Sequence, residues 1–536
     1  MTRRAVVVGL DGAAWRLLDP FLKEGTMPRL ASLKKRGAWG RLRSTIPAYT
    51  PPAWTSAATG VNPGRHGIYG FHAGNAQSEH MELMHSGRIA APTVWEIANA
   101  QGARCGVFNL PLTYPPQDLN GWMVSGMMTP GYGHHLKGFV RPTTLERKVL
   151  SWAPDYVVEM KTSWETDWRD EALCRRAVAS LDQRHRVLHG LLEEAPCDVV
   201  FTVLEAPDRL QHAYLRYMDP ADELHNSEAA RRITPHLHEC FAAIDRIVGL
   251  LEDYAGSDGG VIVCSDHGFT AWEVSVHVNA LLQQWGYLKL KRRARIMQSA
   301  PVRRIVPLAK RLLPARVARE AKGRTFTAVD WTRTRAFASP IPVQGVFVNL
   351  QGRERHGTVP STDLEDTKED LARRFRALRG PDGAAVTDRV HLSQEVFSGE
   401  ATAGAPDLLP VLRDYRYELS DEIFHKDPFE DMSHLPRGVH HPDGVVIVSA
   451  PGVSPQPDLQ GSVMDVTPTF LYLAGLGVPE GLDGRVLQDA FDAQTIRNRP
   501  VEHIAGIASR ARAEDSPYSR EEEAMIEEAL QGLGYL

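Results

Sequence analysis

Six side chains of oxygen and nitrogen type and one threonine hydroxyl carry the chemistry that can be read in this chain. They are Asp11, Asp208, His212, Asp266, His267 and one of the neighbours His440 and His441, with Thr50 as the hydroxyl. Carboxylates and imidazoles without thiolates suit borderline divalent ions, zinc first and manganese second. Six ligands divide into two sets of three, each leaving a position open, which is the pattern of catalytic ions. Two ions about 3.5–4 Å apart serve phosphoryl chemistry, because one can hold the nucleophile while the other holds the leaving oxygen. Thr50 is the expected nucleophile.

The elements around these residues are of the kind that gather such groups at one edge. Ala5–Leu10 (AVVVGL) is a short β-branched run typical of a strand buried on both faces, and Asp11-Gly12 ends it. A carboxylate just past the end of such a strand sits where open α/β sheets bind ligands. The stretch 44–60 reads as a cap, two prolines, a helix of small residues and a Gly stop, with Thr50 as the cap. Pro51 and Pro52 lack N–H groups, so an anion held there needs a charge other than the helix terminus. The strand at 198–204 delivers Pro207, Asp208 and His212, and a helix starting at Pro207 puts the last two one turn apart on one face. The strand at 259–265 ends in Asp266-His267-Gly268. Arg437 to Gly444 brings the His440–His441 pair back before a strand at 445–450. His66, in a turn-rich loop, reads as a structural hydrogen-bonding residue.

A chain of 536 residues with 43% hydrophobic and 24% charged residues is expected to be a large α/β core with insertions. The expected parts are 1–270 as the first part of the core, 271–430 as an inserted cap, 431–490 as the return to the core, and 491–536 as a helical tail with a docking role. A net charge of −5 leaves no nucleic-acid footprint. Five cysteines without CxxC pairs point to a reducing compartment, and the start of the chain breaks its apolar run too early for a signal peptide or membrane span. The expected location is cytoplasmic and the expected partner a small phosphate ester. The segment 289–324 carries thirteen Lys/Arg and one acidic residue, Glu320. It reads as a solvated insertion rather than a membrane-surface helix, although peripheral membrane contact is an alternative.

These motifs resemble the type I phosphodiesterase/nucleotide pyrophosphatase family of the alkaline phosphatase superfamily. The likeness rests on Thr50, Thr59-Gly60, Pro63-Gly64-Arg65-His66-Gly67, Asp11, Pro207 to His212, Asp266-His267-Gly268 and His440. It runs from residue 5 to about 487. It implies an alkaline-phosphatase-like fold, a mostly parallel sheet with helices on both faces plus a cap. It also implies one zinc held by Asp208, His212 and His440 and another held by Asp11, Thr50, Asp266 and His267. The implied reaction cleaves a phosphodiester or pyrophosphate through a phosphothreonine at Thr50. Phe71 stands where nucleotide-hydrolysing members usually carry an Asn that donates to a phosphoryl oxygen; Asn109 is a substitute donor, or the substrate differs. The alternatives are a phosphomonoesterase or phosphotransferase on the same scaffold, and a non-catalytic metal-binding scaffold that regulates a partner. A sulfatase is disfavoured by the lack of a Cys-x-Pro-x-Arg segment.

Overall fold

The computed structural model describes the chain apart from residues 1–2, 75–76, 78–80, 132–135, 164–165, 296–324, 340–344, 507, 509–512, 514 and 535–536. Most of the basic segment 289–324 therefore lies outside the described residues. Nine strands form the central sheet in the order Gln456–Ser462, Ala38–Arg43, Asp443–Ser449, Gly260–Cys264, Ala5–Leu10, Val199–Leu204, Cys105–Phe108, Gly121–Val124, Val140–Arg141. Ala5–Leu10 pairs in parallel with both neighbours, and Cys105–Phe108 does the same. Asp443–Ser449 runs antiparallel to both of its neighbours, and Val140–Arg141 is an antiparallel edge.

The pleat of Ala5–Leu10 explains why this strand is apolar throughout. Val6, Val8 and Leu10 face one layer with Leu17, Leu30, Leu188, Leu210 and Ile244. Ala5 and Val7 face the other, with Trp54, Ile97 and Phe470. Successive side chains of a strand point to opposite faces, so a strand covered on both sides must be hydrophobic at every position. Helices Pro28–Arg36, Ala172–Glu194, Ala206–Met218 and Glu228–Ala255 cover the first face; Thr50–Thr59, Val94–Ala100 and Val466–Ala474 cover the second.

Between Val274 and Ile423 a separate apolar cluster forms. It is built on a four-stranded sheet (Ala336–Ala338, Val346–Val348, Leu408–Leu412, Thr387–Leu392) backed by helix Leu364–Arg376. Beside it lies a three-stranded sheet of Tyr417–Ser420, Val274–His277 and Phe429–Asp431. The C-terminal helix Arg520–Gly532 buries Ile526 and Leu530 in a cluster shared with Tyr49, Phe71 and Met127. Tyr518, just before it, donates its hydroxyl to the carbonyl of Met128 at 3.1 Å.

Candidate metal centre and nucleophile

Three parallel strands end side by side and each hands over acidic side chains. Asp11 follows Ala5–Leu10, Asp266 and His267 follow Gly260–Cys264, and helix Ala206–Met218, entered directly after Val199–Leu204, carries Asp208 and His212. His440 arrives differently. It lies on Gly438–His441, which pairs antiparallel with Gly268–Ala271 so that His440 sits opposite Phe269, three positions past Asp266. The ligand atoms of Asp208, His267 and His440 fall within 4.8 Å of one another, as do those of Asp11, Asp266 and His267.

Thr50 is the first residue of its helix and not the cap. Tyr49 holds the cap position in an extended conformation and makes no side-chain capping bond. The reason lies in the next two residues. A capping side chain bonds the N–H of the second or third helical residue, and here both are prolines, so there is no donor to cap. The Thr50 hydroxyl, fully buried, is thereby free to face the acidic cage, 3.3 Å from Nε2 of His267. The later helix Val466–Ala474 begins after Asp465, and the hydroxyl of its Thr467 donates to Ala57 O at 2.7 Å and braces the Thr50 helix.

Glycine makes the approach of that helix possible. A Cβ on Gly9 would lie 2.4 Å from Trp54 Cη2. With none there, the indole lies against the strand and donates Nε1–H to Asp11 Oδ2 at 3.2 Å. Gly12 N–H donates to Asp266 Oδ1 at 3.1 Å. Each carboxylate thus has one oxygen engaged and one directed inward.

The inward atoms have no protein partners that suit them. Asp11 Oδ1, Asp208 Oδ1 and Asp266 Oδ2 are buried and receive no hydrogen bond. All three imidazoles meet a backbone carbonyl through Nδ1: His212 to Gly438 O (3.1 Å), His267 to Gly268 O (3.2 Å) and His440 to Ala48 O (3.0 Å). With the protons on Nδ1, the tautomer these contacts assign, every Nε2 presents a lone pair to the interior. Nε2 of His212 and His440 lie 3.0 Å apart, and Asp208 Oδ1 is 3.3 Å from His440 Nε2 and 3.6 Å from His212 Nε2. Lone pairs and carboxylate oxygens this close repel unless cations lie among them. Imidazoles oriented by a carbonyl on the far nitrogen are the usual outer shell of metal ligands.

The electrostatics agree. Burial, reinforced by the neighbouring Asp266 and Asp208 charges, pushes the Asp11 carboxyl well above its usual range. Burial also drives Asp266 up to about 7. For Asp208 burial is outweighed by the imidazoles of His212 and His440 and the guanidinium of Arg209, which hold it low. Burial brings His212 down to about 3 and His267 well below the usual value. Two unit charges about 4 Å apart interact by about 4 kcal/mol at an effective dielectric near 20, so three carboxylates cannot all ionise here without compensation. Divalent ions would supply it, and the donor set fits them.

Sequence reading overlooks the shell behind the ligands. Arg209, buried, pairs with Asp208 and reaches Glu159 with Nε 3.0 Å from Oε1. Arg184, also buried, pairs with Glu205. An arginine directly after Asp208 in a helix that must be buried is the signal that points to the first of these. Asn109 is not a free donor: its Nδ2 gives hydrogen bonds to Glu205 Oε2 (2.9 Å) and Val203 O (3.3 Å). Phe71 is fully buried, edge-on to Tyr49 at 5.5 Å, and supports the cap residue of the Thr50 helix. His66 bonds Ser56 Oγ at 3.0 Å and accepts from Ile68 N–H, the structural role expected for it. His441 turns to Asp414 at 3.2 Å, leaving His440 as the member of the pair that faces the cage.

Residues 5–412 match the sequence family described as type I phosphodiesterase / nucleotide pyrophosphatase, a range that stops short of His440. Among solved structures, phosphonoacetate hydrolase from Sinorhizobium meliloti 1021 in complex with phosphonoformate is similar in fold, at 17% identity over 88% of this chain and 95% of that one, with a TM-score of 0.55. Murine ectonucleotide pyrophosphatase / phosphodiesterase 5 aligns at 12% identity over 91% of this chain and 100% of that one, with a TM-score of 0.49. No curated protein matches the sequence. With more than half its length matched, the chain belongs to the type I phosphodiesterase/nucleotide pyrophosphatase family and is a hydrolase of that type.

Proposed function

We propose that this protein is a metal-dependent phosphodiester or pyrophosphate hydrolase that works through a phosphothreonine at Thr50. The observation that carries this reading is the set of inward, unbonded carboxylate oxygens of Asp11, Asp208 and Asp266 beside the Thr50 hydroxyl. Asp208, His212 and His440 would hold one divalent ion, and Asp11, Thr50, Asp266 and His267 the other. Zinc is favoured by the mixed oxygen and nitrogen ligands, with manganese second. Such a pair supplies Lewis-acid stabilisation of the phosphoryl oxygens and of the threonine and leaving oxygens.

The chain's own groups do the rest. The helix fixes Thr50 Oγ1 in line with the cage, and the attack of that oxygen on phosphorus would form the Thr50 phosphate ester and release the leaving group; water then cleaves the ester. Arg209 is committed to Asp208 and Glu159. With that guanidinium neutralised, a singly charged diester suits the site better than a doubly charged monoester. The stretch 271–430, with its own apolar cluster, acts as the cap that selects the leaving group, and the tail 491–536 closes the cluster around Tyr49. The five cysteines are unpaired and buried, which suits a reducing, cytoplasmic setting. Among the described residues no helix is long and apolar enough to cross a membrane.

Thr50→Ala in the metal-loaded enzyme tests the proposal. Turnover of bis(p-nitrophenyl) phosphate is expected to vanish while bound metal is retained. Unchanged turnover removes Thr50 from the mechanism, and faster cleavage of p-nitrophenyl phosphate by the wild type favours the monoesterase instead.

A further inference from the structure

A second group of metal-type ligands lies outside the core, on the three-stranded sheet of the inserted region. His277 ends the strand Val274–His277, and Glu430 lies on the antiparallel neighbour, opposite Ser275. Residues directly opposite and two positions along share a face of the sheet, so His277 and Glu430 are diagonal neighbours. The loop between Tyr417–Ser420 and Phe429–Asp431 brings His425 over the same face, its ring stacked on His277 at 3.6 Å. One ligand atom from each of the three lies within 4.8 Å of the others.

His277 supplies the independent observation. Its side chain is only 2% exposed, and Nδ1 contacts Ser420 Oγ at 3.2 Å. Nε2 is buried and makes no hydrogen bond, although a carboxylate oxygen of Glu430 stands 3.4 Å away. A buried polar atom left in this state calls for an explanation. In the tautomer with the proton on Nδ1, donated to Ser420, Nε2 turns a lone pair toward this carboxylate, and a cation between the two makes that arrangement favourable. Glu422 stands 2.6 Å from Nε2 of His425, the kind of outer carboxylate that orients an imidazole ligand.

We infer that His277, His425 and Glu430 form a binding site for one zinc-class divalent ion, separate from the core cage. Two imidazoles and one carboxylate form a three-ligand set that zinc accepts, with the fourth position left to water. The site fastens the loop at 421–428 to the strand pair 274–277 and 429–431. These strands continue into Gly268–Ala271 and Gly438–His441, the pair that sets His440 against the core, so an ion here ties the inserted region to the strands that present a core ligand.

Metal counting on the full-length protein decides the matter, whether or not the core cage binds metal as proposed. Chelator-stripped protein is reloaded with zinc sulfate, desalted and assayed for zinc per chain by atomic emission. His425 and Glu430 are both partly exposed, so His425→Ala and Glu430→Gln are expected to fold; circular dichroism checks this. Each variant, and the double variant, should hold one zinc ion per chain fewer than the wild type. Asp208→Asn, which damages only the core cage, should keep the ion lost from the double variant. A double variant that binds as much zinc as the wild type overturns the inference and leaves a hydrogen-bonded acid–base cluster in its place.

Discussion

Replacing Arg209 by Met separates the charge that supports the cage from the charge the ions neutralise. The guanidinium is buried and pairs with the carboxylates of Asp208, a metal-ligand candidate with no exposure, and Glu159, whose side chain is 11% exposed. Removing one member of a buried ion pair costs about 3–5 kcal/mol, because the partner stays buried and charged. With divalent ions bound, Asp208 keeps a counter-charge, so the cost falls almost wholly on Glu159. Arg209→Met alone should therefore lower the melting temperature of the metal-loaded protein; at about 2 °C per kcal/mol or less for a chain this long, the fall is up to about 10 °C. Adding Glu159→Gln should restore most of it, since the uncompensated carboxylate is gone. In metal-free protein the same rescue should be partial, because Asp208 has then lost its partner too. Differential scanning calorimetry of the four proteins, with zinc and with chelator, reads all of these shifts. Equal melting temperatures for the single and double variants in zinc would refute the reasoning.

Two further outcomes follow from the packing and the charges. Gly9→Ala places a methyl group 2.4 Å from Trp54 Cη2 and 2.9 Å from a Val203 methyl; overpacking of this kind costs about 1–3 kcal/mol. It should also move the Thr50 helix, so diesterase activity should fall far more than stability, and a variant with normal kcat would show that the Trp54 contact does not position Thr50. In chelator-treated protein, the native state keeps protons on Asp11 and Asp266 that the unfolded chain releases above 3.8, so these groups make stability fall as pH rises. The depressed imidazoles of His212 and His267 act with the opposite sign below their ordinary value of 6.5, and the two effects offset each other there. Above 6.5 the imidazole effect is spent while Asp266 still holds part of its proton, so stability should keep falling, by less than about 1.4 kcal/mol per pH unit for this group, until Asp266 is ionised near 7. Zinc should abolish the slope; a flat melting curve from pH 6.5 to 7.5 without metal would contradict this.

What the sequence determined by itself was local chemistry and its carriers. The run Ala5–Leu10 and the strand delivering Asp266 and His267 are apolar throughout because both faces are covered, and that pattern needs no coordinates to read. The order of Asp11, Thr50, the Asp208–His212 pair, Asp266-His267 and His440 was likewise plain, since ligand types and a one-turn spacing are written in the chain. Other features were beyond local reading. Ala38–Arg43 and Gln456–Ser462 are sheet strands of mixed polarity, recognisable only through their mutual pairing. Helix Glu228–Ala255 carries Pro235 inside it, which locally reads as a break. Ligand types alone left His440 and His441 open and only the family resemblance favoured His440; in the structure the register of Gly438–His441 against Gly268–Ala271 turns His440 inward, and a one-residue slip would reverse it. Tertiary structure also decided that Thr50 is a helical residue whose hydroxyl meets His267, that Asn109 is spent on Glu205, and that Arg209 stands behind Asp208. Each of these depends on a partner dozens to hundreds of residues away or on backbone geometry, and neither is encoded in any local window of the chain.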